Sequence, residues 1–90
     1  MTPTERKKRA LLDKARRHPE SVSFQELLQL AMDFGFVLIR TRGSHFQYKR
    51  LEPPPCYLTF QPRRSDRKMA KPYQVVQLLD FIEENILEED

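Results

Sequence analysis

The feature that most constrains the fold is a change in hydrophobic spacing at Gly35. Before it, apolar residues recur with the spacing of a helix that has one buried face: Phe24, Leu27, Leu28, Ala31 and Phe34. After it, FVLIRTR (36–42) is rich in β-branched and apolar residues, and HFQYKR (45–50) alternates between apolar and polar. The sequence therefore predicts a helix over 23–34 that leads into a β-hairpin.

The boundaries of these elements carry their own signals. Ser23 and Glu26 have the spacing of a capping box, which predicts where the helix begins. Gly35 stands where a residue with positive φ commonly ends a helix. Gly43 permits the tight turn that a short hairpin needs.

Four further segments complete the prediction. A basic helix is expected over 5–17, a third short strand over 56–60, a polar loop over 61–71, and a helix from Pro72 to about Leu87. The order α-α-β-β-β-α predicts an α+β fold of two layers, with a three-stranded antiparallel sheet. The helices over 23–34 and 72–87 should cover one face, which leaves His45, Gln47 and Lys49 on the other. We divide the chain into a basic helical extension (1–22) and a domain (23–90).

The length of 90 residues and the composition favour one small soluble domain. The single cysteine cannot form an intrachain disulfide, which fits a reducing compartment. No apolar run has the roughly 20 residues that a membrane-spanning helix needs. We therefore expect a cytoplasmic protein.

The distribution of charge is more informative than the net charge of +3. Residues 5–17 contain seven Arg or Lys, residues 40–71 contain nine, and the chain from 80 onward has six acids and no base. Two basic blocks favour a polyanionic partner such as RNA. The cations of 5–17 would either extend an RNA footprint or form a solvated arm. The acids of 83–90 would either fold over the basic face or contact a partner.

The residues of this chain support few kinds of catalytic or metal-binding site. Two histidines and one cysteine do not form a usual structural zinc site, and two glycines do not form a phosphate-binding loop. Ser44 and His45 would point to opposite faces of a strand, so a catalytic triad is not indicated. RNA cleavage remains open, because RNA supplies its own 2′-OH nucleophile. Histidine serves as general acid or base, and cations stabilise the phosphate.

The order of motifs resembles the HicA family of toxins from type II toxin–antitoxin systems. Gly35-Phe36 is followed by a strand, by Gly43-Ser44-His45 at the hairpin, by LTFQP (58–62), and by KPYQVVQLLDFIEE (71–84). The resemblance implies a double-stranded-RNA-binding-like fold with the order α-β-β-β-α. It also implies an mRNA interferase, an endoribonuclease that a HicB-like antitoxin neutralises.

The resemblance assigns the catalytic role to the histidine of the GSH motif, which is His45. The residues we predict to bind RNA are Arg40, Arg42, Gly43, Ser44, Lys49, Arg63, Arg64 and Lys71. No metal or other cofactor is expected. A homodimer that pairs through the edge of the third strand is also possible from the sequence. Two alternative functions are a non-catalytic RNA-binding module and a protein-interaction domain that uses its acidic helix.

The aromatic residues of the strands have two interpretations. Phe46, Tyr48 and Phe60 alternate in a way that matches a buried sheet face, so we assign them to the core rather than to base stacking. Tyr57 and Tyr73 are better candidates for exposed contacts.

Overall fold

The computed structural model describes residues 2–86. Its elements are α1 (Pro3–Arg17), α2 (Phe24–Asp33), β1 (Phe36–Arg42), β2 (His45–Arg50), β3 (Cys56–Phe60) and α3 (Pro72–Asn85), with a single 3-10 turn at Pro19–Ser21. The predicted order is confirmed. The predicted helix end at Leu87 and the last acids of the 83–90 segment lie outside the described residues. Within 2–86, no helix has the length and apolar character needed to cross a bilayer.

The three strands form one antiparallel sheet in the order β1-β2-β3. The core lies between this sheet and the helices. Phe24 of α2 meets Phe46 edge-on with ring centroids 5.2 Å apart, and Phe81 of α3 meets Phe36 at 5.6 Å. Tyr48 and Phe60 are buried in the same layer, so their predicted place in the core is confirmed. The predicted two-layer α+β arrangement is confirmed as well.

The predicted boundary signals operate as the sequence indicates. The Ser23 hydroxyl accepts a hydrogen bond from the Glu26 backbone N–H at 3.0 Å, and the Glu26 carboxylate accepts one from the Ser23 N–H at 2.9 Å. Two of the N–H groups that the first turn of α2 leaves without helical partners are thereby satisfied. Gly35 has φ +93° and Gly43 has φ +59°, both in the region that favours glycine.

Helix α1, predicted as an extension, contributes to the same core as the rest of the chain. Leu12 and Ala15 are buried among the residues of α2, α3 and the sheet. The ammonium of Lys14 contacts both carboxylate oxygens of Glu26 at 2.9 and 3.0 Å, and Arg16 pairs with Glu83 of α3 at 2.7 Å. Residues 2–22 therefore pack on the domain, and part of their positive charge is used in holding α1 in place.

The face of the sheet opposite the helices is open and basic, and it is called the open face below. Residues directly opposed in antiparallel strands point to the same side. Three cross-strand rows follow on this face: Val37–Lys49–Tyr57, Arg40–Gln47–Thr59, and Arg42–His45.

A bulge in β1 sets the composition of the open face. Phe36 faces the core, so regular alternation would send Arg40 and Arg42 to the helix-covered side. The pairing shifts by one residue between Leu38 and Arg40, leaving Ile39 as the extra residue. Both arginines therefore share the open face with His45.

Candidate functional site

A cleft of about 330 Å³ opens at the end of the sheet where β2 begins. The turn of the β1–β2 hairpin forms one wall, and the loop between β3 and α3 forms the other. The residues that line it are Ser44, His45, Gln61, Pro62, Arg64, Arg67 and Lys71. The cleft brings the cations of the loop next to the histidine of the hairpin turn.

The hairpin places His45 in the lining of the cleft. Gly43 takes the positive φ of the turn, so that β2 can begin directly at His45. His45 is opposite Arg42 and is exposed to solvent. Its imidazole is therefore accessible to a large substrate, as a group that exchanges protons with RNA must be.

Ser44 also lines the cleft, contrary to the expectation that it and His45 point to opposite faces. That expectation applied strand alternation to both residues. Ser44 belongs to the turn, and strand β2 begins one residue later, so the alternation does not include it. Ser44 and His45 therefore share one wall of the site.

The opposite wall, predicted only as a polar loop, is held by hydrogen bonds. The Arg63 N–H donates to the Met69 carbonyl at 2.8 Å, and the Ala70 N–H donates to the Val22 carbonyl at 3.0 Å. Buried Gln74 of α3 accepts a hydrogen bond from the Gln61 N–H at 3.0 Å. The core thus determines where this loop lies relative to His45.

Arg63 was predicted to bind RNA, but the structure engages it in the loop itself. Its Nη2 donates to the carbonyl oxygens of Glu20 at 3.0 Å and Ala70 at 3.2 Å, and its Nε donates to Ala70 at 3.3 Å. Arg63 does not line the cleft. The guanidinium fastens the loop to the segment before α2, so Arg63 has a structural role outside the cleft.

The charges that line the cleft are all positive. Arg64 and Arg67 come from the loop, and Lys71 is the N-cap residue of α3. The N-terminal end of α3 adds the positive end of its helix dipole on the same side. No carboxylate is among the lining residues. An anion such as a phosphodiester is the ligand that this electrostatic environment favours.

The structure brings some of the predicted site residues together in the cleft and places others outside it. Ser44, His45, Arg64 and Lys71 lie in the cleft, whereas Arg40, Arg42 and Lys49 lie on the open face that leads to it. The residues missed are Gln61, Pro62 and Arg67. Arg67 carried a signal, because it belongs to the arginine-rich loop, but the sequence alone does not show which of these arginines turn toward the histidine.

A larger groove, of about 740 Å³, lies between α1 and α2. Lys14 and Glu26, two of the charged residues that line it, pair with each other, so these charges are already satisfied. In the part of the chain that the structure describes, no three His, Cys, Asp or Glu side chains come together as ligands for a metal ion. The smaller cleft is therefore the better candidate for a functional site.

Comparisons with models of protein families, with curated proteins and with solved structures each found no match to this chain.

Proposed function

We propose that this chain is a cytoplasmic, metal-independent endoribonuclease of the HicA toxin type, with a double-stranded-RNA-binding-like fold and with mRNA as its substrate. One observation carries the proposal. His45 opens onto a cleft in which every charged neighbour, Arg64, Arg67 and Lys71, is a cation. The motif order that resembles HicA toxins adds support from the sequence.

The proposed reaction needs a group that moves a proton beside a phosphate. His45 in its neutral form takes the proton from a ribose 2′-OH, and the 2′-oxygen attacks the adjacent phosphorus. The bond from phosphorus to the 5′-oxygen breaks, and solvent supplies the proton that this leaving oxygen takes up. The products are a 2′,3′-cyclic phosphate and a 5′-hydroxyl end. General acid–base catalysis of this kind contributes roughly 10²- to 10⁴-fold.

The cations of the cleft have a separate role in this proposal. Arg64, Arg67 and Lys71 neutralise the non-bridging phosphate oxygens, on which charge grows as the 2′-oxygen attacks. The loop that carries Arg64 and Arg67 is hydrogen-bonded to buried Gln74, so its backbone has a fixed place beside His45 before the substrate arrives. Gly43 and Ser44 shape the turn that lets the ribose approach His45.

A non-catalytic RNA-binding module is the second candidate. The observation in its favour is that the positive charge does not end at the cleft. Arg40, Arg42 and Lys49 continue it along the open face. A binding surface needs such an extended phosphate contact area, whereas a histidine is not required for it.

The proposed partner is a HicB-like antitoxin, and β1 offers a surface for it. Val37, Leu38 and Ile39 are each about half exposed on this edge strand, with relative exposures of 47%, 48% and 47%. Unpaired edge strands with apolar side chains readily take up a strand from another chain. The same edge would serve a homodimer, and the edge of β3 is the alternative for strand pairing between copies.

The test is cleavage of a long mRNA, with and without a chelator, by the unchanged protein, His45→Ala and His18→Ala. His18 is the only other histidine and is exposed outside the cleft, so it is a matched control. We expect cleavage by the unchanged protein and by His18→Ala, and a loss of at least 10²-fold in His45→Ala. Circular dichroism would show that both variants are folded.

Cleavage by folded His45→Ala at the unchanged rate would disprove the role of His45. RNA binding without cleavage by all three proteins would favour the binding module instead. Cleavage that disappears only with the chelator would overturn the metal-independent mechanism.

A further inference from the structure

Tyr57 is an exposed aromatic residue in the basic surface that leads to the cleft. Its relative exposure is 58%, although it lies within strand β3 rather than in a loop. It is in the same cross-strand row as Lys49, whose ammonium lies 5.1 Å from the centre of the tyrosine ring. The ammonium restrains one face of the ring through a cation–π contact, and more than half of the residue remains accessible.

The position of this pair relative to His45 follows from the strand. Lys49 and His45 are four residues apart on β2 and point to the same face. At about 3.4 Å per residue they are roughly 14 Å apart along the sheet. The row of Arg40, Gln47 and Thr59 lies between them and offers one cation and two neutral hydrogen-bonding groups.

We propose that Tyr57, held by Lys49, is a stacking platform for an unpaired base, so that RNA crosses the open face as a single strand before it enters the cleft. The identity of the nucleic acid as RNA rests on the proposed function. In a duplex the bases are stacked on one another and the faces are not available to a protein ring, whereas unpaired bases stack readily on exposed aromatic side chains. Arg40 and Arg42 lie on the same face and supply the phosphate contacts along the path.

The proposal assigns separate contributions to the two residues. The Tyr57 ring provides stacking, which is tolerant of base identity because every base has a π face. The Lys49 ammonium orients the ring and adds an electrostatic contribution that falls as salt rises. Loss of the ring should therefore weaken binding without changing the salt dependence. Loss of the ammonium should reduce the salt dependence.

The experiment measures binding of a short fluorescein-labelled RNA without secondary structure, and of the corresponding duplex, by fluorescence anisotropy. All proteins carry His45→Ala so that the RNA stays intact. Tyr57→Val removes the ring and keeps a side chain suited to a strand, and Tyr57→Phe keeps the ring and removes only the hydroxyl. Thermal unfolding of each variant shows that the fold is retained.

We expect Tyr57→Val to bind the single strand about tenfold more weakly than Tyr57→Phe, with Tyr57→Phe within about twofold of the parent. Duplex binding should be the same for both. Lys49→Met should reduce the slope of log affinity against log salt concentration by about the amount that one phosphate contact contributes.

Equal binding of the single strand by Tyr57→Val and Tyr57→Phe would overturn the platform. An equal loss for single strand and duplex would also overturn it, because it would show a general contribution rather than stacking on an unpaired base. The outcome is independent of catalysis. If the unchanged protein does not cleave RNA and Tyr57→Val still loses single-strand affinity, the platform stands and the ribonuclease proposal fails. Absence of RNA binding by the His45→Ala parent would overturn the platform, whereas the ribonuclease proposal is decided by the cleavage assay on the unchanged protein.

Discussion

The Nε of Arg50 donates a hydrogen bond of 3.0 Å to the carbonyl oxygen of Phe34, the C-cap residue of α2. Arg50 is only 7% exposed, and its Nη1 also donates to the carbonyl oxygens of Glu52 at 3.1 Å and Pro53 at 3.4 Å. One buried guanidinium thus satisfies carbonyls from the helix end and from the proline-rich loop. In the sequence, Arg50 belongs to the second basic block, which favours a polyanionic partner. In the structure, its side chain stabilises the fold.

Arg50→Met should lower the free energy of unfolding by about 2 kcal/mol or more. The substitution retains much of the apolar stem but leaves the Phe34 carbonyl without its donor inside the protein. Urea unfolding measures the change. Arg42→Met is the matched control, because Arg42 is exposed on the same hairpin and should leave the midpoint nearly unchanged. Equal losses for the two variants would contradict the structural role of Arg50.

Substitution by glutamine should affect stability at Arg63 and RNA binding at its neighbour Arg64. Arg63→Gln removes hydrogen bonds to the Glu20 and Ala70 carbonyls and should lower stability by about 1–2 kcal/mol. Arg64→Gln removes a charge from the cleft and should weaken RNA binding, with a lower salt dependence and unchanged stability. Urea unfolding and fluorescence anisotropy separate these effects. The assignment of the two residues would be reversed if Arg64→Gln were the destabilised variant.

Stability should depend on the ionisation of Glu26. Burial by itself would raise the pKa of Glu26, but the hydrogen bond from the Ser23 backbone N–H and the Lys14 ammonium hold it below its usual value of 4.5. A lowered pKa in the folded state means that the stabilisation is present at neutral pH and is lost as pH falls through that pKa. The ion pair is partly exposed, so we expect about 1 kcal/mol or less.

The measurement for Glu26 is urea unfolding of the unchanged protein and Glu26→Gln from neutral pH to below pH 4.5. The glutamine keeps an acceptor for Ser23 but cannot ionise. The two proteins should differ in stability at neutral pH and converge as the pH falls. Lys14→Met should remove part of the difference, whereas Lys7→Met, an exposed change on the same helix, should not. A constant difference across this range would show that ionisation of Glu26 contributes nothing.

The proposed chemistry makes a prediction about the RNA rather than the protein. If the attacking group is the ribose 2′-OH, 2′-O-methylation at the cleaved position should block cleavage. The affinity for the methylated RNA should stay within a few-fold of the affinity for the unmethylated RNA. The upstream fragment should end in a 2′,3′-cyclic phosphate, which mass spectrometry distinguishes from a linear phosphate. A 3′-hydroxyl on that fragment would instead indicate attack by water with a different bond broken.

The local elements were predictable because their signals lie within a few residues. The capping box of Ser23 and Glu26, the positive φ of Gly35 and the change to strand spacing at Phe36 all depend on near neighbours in sequence. The position of His45 at the start of β2 followed from the same signals. What these signals do not specify is which distant residues meet.

The parts that sequence did not predict depend on tertiary contacts. Arg63 and Arg64 have the same chemistry and adjacent positions, and only the bonds to Glu20 and Ala70 distinguish them. Arg67 joins the site because the loop is fastened to Gln74 and Val22. Helix α1 has only a narrow apolar stripe in sequence, yet Leu12 and Ala15 are buried in the core that α1 shares with α2 and α3.

The bulge at Ile39 has a consequence for chains of related sequence. Since Leu38 and Arg40 already lie opposite consecutive residues of β2, a chain that lacks position 39 would form a regular ladder with the same side chains on each face. A single-residue deletion there changes the length of the strand without exchanging its two sides. An alignment of relatives should therefore allow a gap at this position. Deletions elsewhere between Phe36 and Arg42 are compatible with the same open face only if the bulge is lost with them.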